Sequence, residues 1–109
     1  MVKVTVRRDP SGSIRSFTVQ GHTGYAAEGR DIVCAAVTAL AQTAVLGLRR
    51  VARFEPEVSL DEGFLECRLP PGVGNPAADA ILETMALGLV DIGKDYPGHV
   101  RVRFSNEEV

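Results

Sequence analysis

A glycine-rich segment that runs into a helix, residues 21–36, constrains the fold of this chain more than any other stretch. Three glycines give the first part of the segment wide backbone freedom, as a loop requires: Gly21, Gly24 and Gly29. Asp31 then stands where an N-cap residue belongs, because the apolar periodicity of a helix begins directly after it. The segment therefore predicts a loop that ends at a capped helix.

Cys34 lies at the third position of this predicted helix, and His22 lies twelve residues upstream in the loop. Backbone N–H groups in the first turn and the positive end of the helix dipole both favour a thiolate over a thiol. A loop with three glycines is able to bring an imidazole to the sulfur. We interpret Cys34 as a nucleophile and His22 as its base. The alternative is a small buried cysteine beside a loop histidine, because free cysteine is among the most buried residue types.

Asp31 also has two interpretations, which are compatible with each other. As an N-cap it accepts hydrogen bonds from the first helical turn, and as a neighbour of the proposed dyad it orients His22 or holds the loop. The backbone N–H groups of residues 33–35 are placed to stabilise an oxyanion in a tetrahedral intermediate. The residues alone assign no third member of a catalytic triad.

Alternating and helical patterns follow one another along the rest of the chain. Strand patterns cover residues 2–7, 14–20, 57–60, 64–69 and 100–104, and helical patterns cover residues 32–52 and 76–94. Hairpins separated by helices favour an α+β fold. We predict one domain over residues 1–109, with two helices on a mixed, mostly antiparallel sheet of about five strands, in the order ββαββαβ.

Several local details of this prediction are specific enough to compare with a structure. A broken alternation near Arg15 and Ser16 indicates a β-bulge. Asn75 followed by Pro76 is a favoured start for the second helix. The buried stripe of the first helix is predicted as Val33, Val37, Ala41, Ala44, Leu48 and Val51. That of the second is predicted as Ile81, Met85, Leu89 and Ile92.

Composition excludes several classes of function. A formal net charge of −2 and a pI near 5.6 do not favour direct binding of nucleic acid. The sequence contains no signal-peptide pattern and no apolar run that we judge long enough for a membrane span, so we expect a cytoplasmic protein with no membrane partner. The glycines match no phosphate-binding or dinucleotide-binding motif, so no cofactor is expected.

The second cysteine and the second histidine have ordinary structural interpretations. Cys67 lies on the apolar face of a predicted strand, so we expect it in the core. His99 stands at the start of the last strand, where a solvated edge position is expected. The spacing of the two cysteines and two histidines matches no paired metal-ligand motif, so no metal site is expected. Both cysteines are expected as free thiols in a reducing compartment.

The glycine-rich segment resembles the bacterial ribosomal-processing cysteine protease family. The resemblance rests on Gly21-His22, then Gly29, then Asp31-Ile32-Val33-Cys34-Ala35-Ala36, and the chain length and element order agree with it. It implies a Cys34–His22 dyad with Asp31 beside it, and a homodimer. It also implies a peptide substrate, the N-terminal extension of a large-subunit ribosomal protein, with aromatic and apolar residues before the cut. Thr23 and Thr38 stand where the family usually has Ala and Ser.

Cysteine endopeptidase is therefore the leading hypothesis, with the glycine-rich loop closing over the bound peptide. A non-enzymatic ribosome-associated binding or assembly factor is the alternative, which would use a sheet face and the basic residues at the end of the first helix: Arg49, Arg50 and Arg53. A thiol redox protein is a third class, although no second cysteine lies near Cys34 in the sequence.

Overall fold

A computed structural model describes residues 1–21, 32–71 and 74–107 of the chain. Its elements are β1 (Val2–Arg8), β2 (Ile14–Gln20), α1 (Ile32–Arg50), β3 (Glu57–Asp61), β4 (Phe64–Arg68), α2 (Pro76–Asp95) and β5 (Val100–Asn106). The predicted α+β class and the order ββαββαβ are confirmed.

The five strands form one sheet in the order β3-β4-β2-β1-β5. β1 pairs with β2, β2 with β4, and β3 with β4, all antiparallel, whereas β5 pairs parallel to β1. The sheet is mixed and mostly antiparallel, as predicted. Its two ends are the edge strands β3 and β5, and the first and last strands of the chain are neighbours.

The predicted bulge lies in β2. Arg7 is opposite Ser16 and Arg8 is opposite Ile14, so the register passes over Arg15. Because of this extra residue, Ile14 and Phe17 both turn into the core, where their side chains are no more than 1% exposed. The bulge explains why the apolar residues of β2 do not follow a strict period of two.

Both helices pack on one face of the sheet, where Val2, Val4 and Val6 of β1 are almost fully buried. The helices approach each other closely at two glycines. A Cβ at Gly47 would lie 3.3 Å from Ile81, and a Cβ at Gly88 would lie 3.0 Å from Leu40. Small residues at these crossings allow the helix pair to cover the sheet as a single layer.

The first helix ends two residues earlier than predicted. Arg53 adopts a positive φ of 65°, and the Phe54 amide donates to the Leu48 carbonyl at 3.2 Å, which turns the chain away after α1. Val51 is consequently 66% exposed, so its predicted place in the buried stripe is wrong. The other five predicted stripe residues are buried, and Val45 joins them.

The second helix begins as predicted, because Asn75 Oδ1 accepts hydrogen bonds from the amides of Ala77 and Ala78 at 2.9 and 3.2 Å. Its buried stripe is partly different from the prediction. Met85 and Leu89 are buried, but the stripe continues through Ala78, Leu82 and Ala86. Ile81 and Ile92 are only partly buried because they flank the stripe, and Ile81 fills the space beside Gly47.

The structure also corrects our judgement of apolar length. By length and composition alone, α1 is long and apolar enough to cross a membrane. Its apolar character serves the core in part, since Val33, Val37, Ala41, Ala44, Val45 and Leu48 are buried.

Candidate active site

Cys34 is the third residue of α1, as predicted, and its side chain is partly exposed at the edge of the core. It is not in a disulfide. The first turn of a helix leaves backbone N–H groups without intrahelical partners, and these groups create a positive electrostatic environment at the helix start. The location suits a sulfur that acts as a nucleophile.

A cleft of about 220 Å³ opens beside Cys34, between α1 and the β3–β4 hairpin. One wall is a face of α1 whose residues recur every three or four positions: Cys34, Val37, Thr38, Ala41 and Gln42. Val37 and Ala41 are buried, whereas Gln42 is exposed. The wall thus combines an apolar base with polar groups along its rim.

Cys34, Thr38 and Gln42 follow one another at steps of four, so they form a line along α1 that faces the cleft. Sequence reasoning named Thr38 only as a departure from the family and gave Gln42 no role. The spacing of four from Cys34 is the signal that identifies both. Hydroxyl and amide groups at these positions are suited to hydrogen bonding with a peptide backbone in the cleft.

The opposite side of the cleft is formed by the β3–β4 hairpin. Leu65 and Val19 of the adjacent strand are almost fully buried beneath it, while Leu60 on the edge strand is 68% exposed. An exposed leucine beside an apolar cleft provides a surface for an apolar ligand. Sequence reasoning did not find Leu60, because the position of β3 next to the start of α1 depends on tertiary structure.

Gly21 lines the same cleft and is hydrogen-bonded to the β3–β4 turn. Its amide donates to the Gly63 carbonyl in the β3–β4 turn at 2.8 Å, which ties β2 to the hairpin. Gly21 has a φ of 90°, and a Cβ there would lie 2.6 Å from the Met1 carbonyl oxygen. Only glycine fits this position without displacing the backbone.

Four of the predicted site residues lie outside the described residues: His22, Gly24, Gly29 and Asp31. The Cys34–His22 pair, the N-cap at Asp31 and the closing of the loop therefore stay predictions. The described part of the chain places Cys34 and Gly21 on one cleft, since both residues line it.

Cys67 and His99 are not among the residues that line this cleft. Cys67 is 1% exposed, so its predicted place in the core is confirmed, and burial raises the pKa of its thiol to about 12. His99 lies just before β5, partly buried, and its carbonyl accepts a hydrogen bond from the Val2 amide at 2.8 Å. Within residues 1–21, 32–71 and 74–107, no three metal-ligating side chains are grouped.

Comparison with known sequences identifies relatives over nearly the whole chain. The family model described as cysteine protease Prp matches residues 1–101. The ribosomal processing cysteine protease Prp of Bacillus subtilis is 35% identical over 107 residues, which cover 94% of this chain and 96% of that protein. The protein of the same name from Staphylococcus aureus is 26% identical over 106 residues, or 95% of this chain and 99% of that protein.

Solved structures agree with the sequence comparison. The crystal structure of an essential ribosomal processing protease Prp from S. aureus, in complex with a covalently linked product peptide, superposes with a TM-score of 0.89 at 25% identity. The match covers 95% of this chain and 99% of that one. SMU.848 from Streptococcus mutans gives a TM-score of 0.87 at 26% identity, over 98% of this chain and 96% of the other.

Proposed function

Because this chain belongs to the cysteine protease Prp family, we propose that it is a ribosomal-processing endopeptidase with Cys34 as nucleophile and His22 as general base and acid. The observation that carries the assignment to Cys34 is its location. Of the two cysteines, Cys34 lies at the start of a helix and on an open cleft, whereas Cys67 is buried in the core.

The reaction proceeds through an acyl-enzyme. His22 takes the Cys34 proton, and the thiolate attacks the scissile carbonyl carbon to give a tetrahedral oxyanion. Backbone N–H groups of the first turn of α1 stabilise that oxyanion. The C–N bond then breaks as His22 returns the proton to the leaving amine, which leaves a thioester on Cys34. Water, deprotonated by His22, hydrolyses the thioester and releases the thiol.

The proposed substrate is the N-terminal extension of a large-subunit ribosomal protein. The B. subtilis and S. aureus relatives are named ribosomal processing proteases. The family resemblance implies aromatic and apolar residues before the cut. The cleft supports this substrate because Val37, Ala41 and Leu65 give it an apolar base. Asp31 orients His22, and the loop that contains Gly24 and Gly29 closes over the bound peptide.

The active protein is proposed to be a cytoplasmic homodimer. Support for the dimer comes from the outer face of the helix pair, where an apolar groove of about 350 Å³ runs between α1 and α2. Leu46 and Leu87, on the same layer, are 44% and 69% exposed. A second copy would bury this surface, and analytical ultracentrifugation of Leu87→Glu beside the unchanged protein tests whether the dimer depends on it.

The decisive experiment is cleavage of a peptide that carries the ribosomal extension. Cys34→Ala is expected to reduce kcat/KM at least about 10³-fold because the nucleophile is lost. His22→Ala is expected to reduce it about 10²- to 10⁴-fold. Cys67→Ala is the matched control and should keep most of the activity, since Cys67 lies in the core.

Two results would reject the assignment. One is cleavage by Cys34→Ala at a rate close to that of the unchanged protein. The other is equal cleavage of a control peptide in which the apolar residues before the cut are replaced by aspartate, because the apolar base of the cleft should discriminate against charge.

A further inference from the structure

The sheet face that is turned away from the helices carries polar side chains in aligned rows. On β1 this face presents Lys3, Thr5 and Arg7, which alternate with the buried valines of the core. The parallel register places Lys3 beside Arg101 and Thr5 beside Arg103 on the edge strand β5. Four cations therefore lie on two neighbouring strands, and we call Lys3, Arg7, Arg101 and Arg103 the basic face.

No residue of the basic face forms a direct ion pair with a carboxylate in the part of the chain that the structure describes. The ion pairs found there are Arg8 with Glu83, Arg49 with Glu55, and Arg68 with Glu107. Lys3, Arg101 and Arg103 are exposed. Arg7 is held against the sheet by hydroxyl groups, since its Nη1 donates to Thr18 Oγ1 at 2.8 Å and to Ser16 Oγ at 3.4 Å.

Arg7 is linked to an acidic side chain of the same face, since Thr18 Oγ1, which accepts from Arg7, donates to Glu66 Oε2 at 3.2 Å. The other three cations lie farther from the acidic end of the sheet. Glu57, Asp61 and Glu66 belong to β3 and β4, and Glu66 is in the same row as Thr18, Thr5 and Arg103. With about 4.8 Å between strands, Glu66 is roughly 14 Å from Arg103 along that row. This separation exceeds the Debye length of about 8 Å at physiological salt, so the exposed cations of the basic face, Lys3, Arg101 and Arg103, keep a positive potential although the net charge is −2.

The spacing of the cations suits a chain of phosphates. Neighbours across the strands are about 4.8 Å apart, and Arg101 and Arg103 are separated by about 6.6 Å along β5. One guanidinium group can donate two parallel hydrogen bonds to the oxygens of a phosphate, so one extended polyanion is able to contact several of these residues together. β1 and β5 present no aromatic side chain on this face, because Phe104 lies on the opposite face, 5.3 Å from the Arg8 guanidinium.

We propose that the basic face binds the phosphate backbone of RNA without reading its sequence. An acidic protein fits less well, because protein interfaces surround their arginines with aromatic or aliphatic residues, and β1 and β5 present none on this face. Resting on the proposed function, this surface holds the protease on the RNA-containing particle that carries its substrate. The net charge alone disfavours nucleic acid, but it does not report how the charges are distributed over the surface.

The test uses a fluorescent 20-nucleotide polyuridylate and measures its anisotropy with the full chain at several salt concentrations. Four phosphate contacts predict a slope of about −3 for log K against log salt. In the variant Lys3→Gln/Arg101→Gln/Arg103→Gln, Arg7 is the one cation of the basic face that remains. The slope should therefore change to about −1, and the affinity at low salt should fall at least about 10-fold.

The matched control, Arg50→Gln/Arg53→Gln/Lys94→Gln, removes the same charge from exposed positions outside the sheet. This control should change the affinity for RNA less than about 2-fold. If the triple variant of the basic face unfolds, the single variant Arg103→Gln replaces it in the test. Equal losses in both triple variants, no binding by the unchanged chain, or tighter binding of polyglutamate than of RNA would each overturn the proposal. Peptide cleavage is measured separately, so RNA binding without cleavage would reject the protease assignment and leave the basic face intact.

Discussion

Cys34 and Cys67 occupy opposite environments. Cys34 is partly exposed on the cleft beside α1, whereas Cys67 is 1% exposed on β4 and packs in the core. A thiol reacts with an electrophile only when the electrophile can reach the sulfur and the thiol can lose its proton to form the thiolate. The two residues therefore provide an internal comparison within one protein.

Iodoacetamide at pH 7 is expected to alkylate Cys34 and leave Cys67 unmodified in the native protein. Intact and peptide mass spectrometry report the site and extent of labelling. In urea both thiols should react, since burial no longer protects Cys67. Modification of Cys67 before Cys34 would contradict the placement of both residues.

Burial of Cys67 also has a consequence for stability at high pH. Its thiol pKa is about 12 in the folded protein and 9.0 in the absence of burial. Above pH 9 the unfolded chain loses this proton while the folded chain keeps it, so the free energy of unfolding falls as pH rises. The fall approaches about 1.4 kcal/mol per pH unit between pH 9 and 12.

Urea unfolding at pH 8 and pH 10.5 measures this effect. Cys67→Ala, which lacks the titrating group, should lose less stability between the two pH values than the unchanged protein, although it starts lower because a cavity is created. Equal losses in the two proteins would show that other groups cause the alkaline transition.

At the scale of single residues, the sequence predicted what local spacing determines. Cys34 at the third helical position and Cys67 in the core follow from helix-start and alternation patterns, and both are confirmed. Leu60 was missed because its place beside Cys34 depends on how β3 packs, which no short-range pattern reports. The place of Gln42 on the cleft was predictable from the sequence, since it lies eight residues after Cys34 on the same face of the helix.

Among the elements, α2 has a start that its N-cap defines clearly. Asn75 Oδ1 accepts from two amides of the first turn, and Asn75 Nδ2 donates to the Ala52 carbonyl at 3.1 Å. The one side chain therefore caps α2 and ties it to the segment that follows α1. Loss of the side chain removes both contributions.

Asn75→Ala is expected to lower the free energy of unfolding by about 1–2 kcal/mol. Asn75→Ser should lower it less, because serine retains a capping oxygen and loses only the bond to Ala52. Thermal and urea unfolding measure both variants, with Asn106→Ala, at an exposed position of β5, as a control within about 0.5 kcal/mol. Equal destabilisation by alanine and serine would mean that capping contributes little.

Element type and order were predictable because each strand and helix has its own periodicity. The boundaries of the elements and their buried faces were less predictable where tertiary contacts determine them. Val51 continues the periodicity of α1 but lies beyond its end, since the chain turns at Arg53. Ile81 matches a helical stripe but fills the crossing beside Gly47, and Leu82 takes the position over the sheet.

Across the whole molecule, the cleft and the basic face lie on opposite sides of the sheet. Val19 and Leu65 border the cleft on the helical side, while Lys3 and Arg101 project from the other side. A peptide and an RNA strand are therefore able to bind together without contact. The sequence shows the alternation of Arg101 and Arg103, but only the parallel pairing of β5 with β1 brings them beside Lys3.

Blocking Cys34 with an apolar peptidyl chloromethyl ketone is expected to abolish peptide cleavage and to change RNA affinity less than about 2-fold. Activity and polyuridylate anisotropy on the same sample provide the two measurements. A large loss of RNA affinity after modification would show that the two sites overlap, contrary to their positions in the sheet.

The parallel pairing of β1 with β5 also determines when the sheet can be completed during synthesis of the protein. Val2 lies opposite Val100, yet a ribosome adds the residues between them over at least about 5 s. Throughout that interval the nascent β1 has an open edge where its last partner belongs. A newly made protease therefore gains its finished sheet only after the fifth strand leaves the exit tunnel.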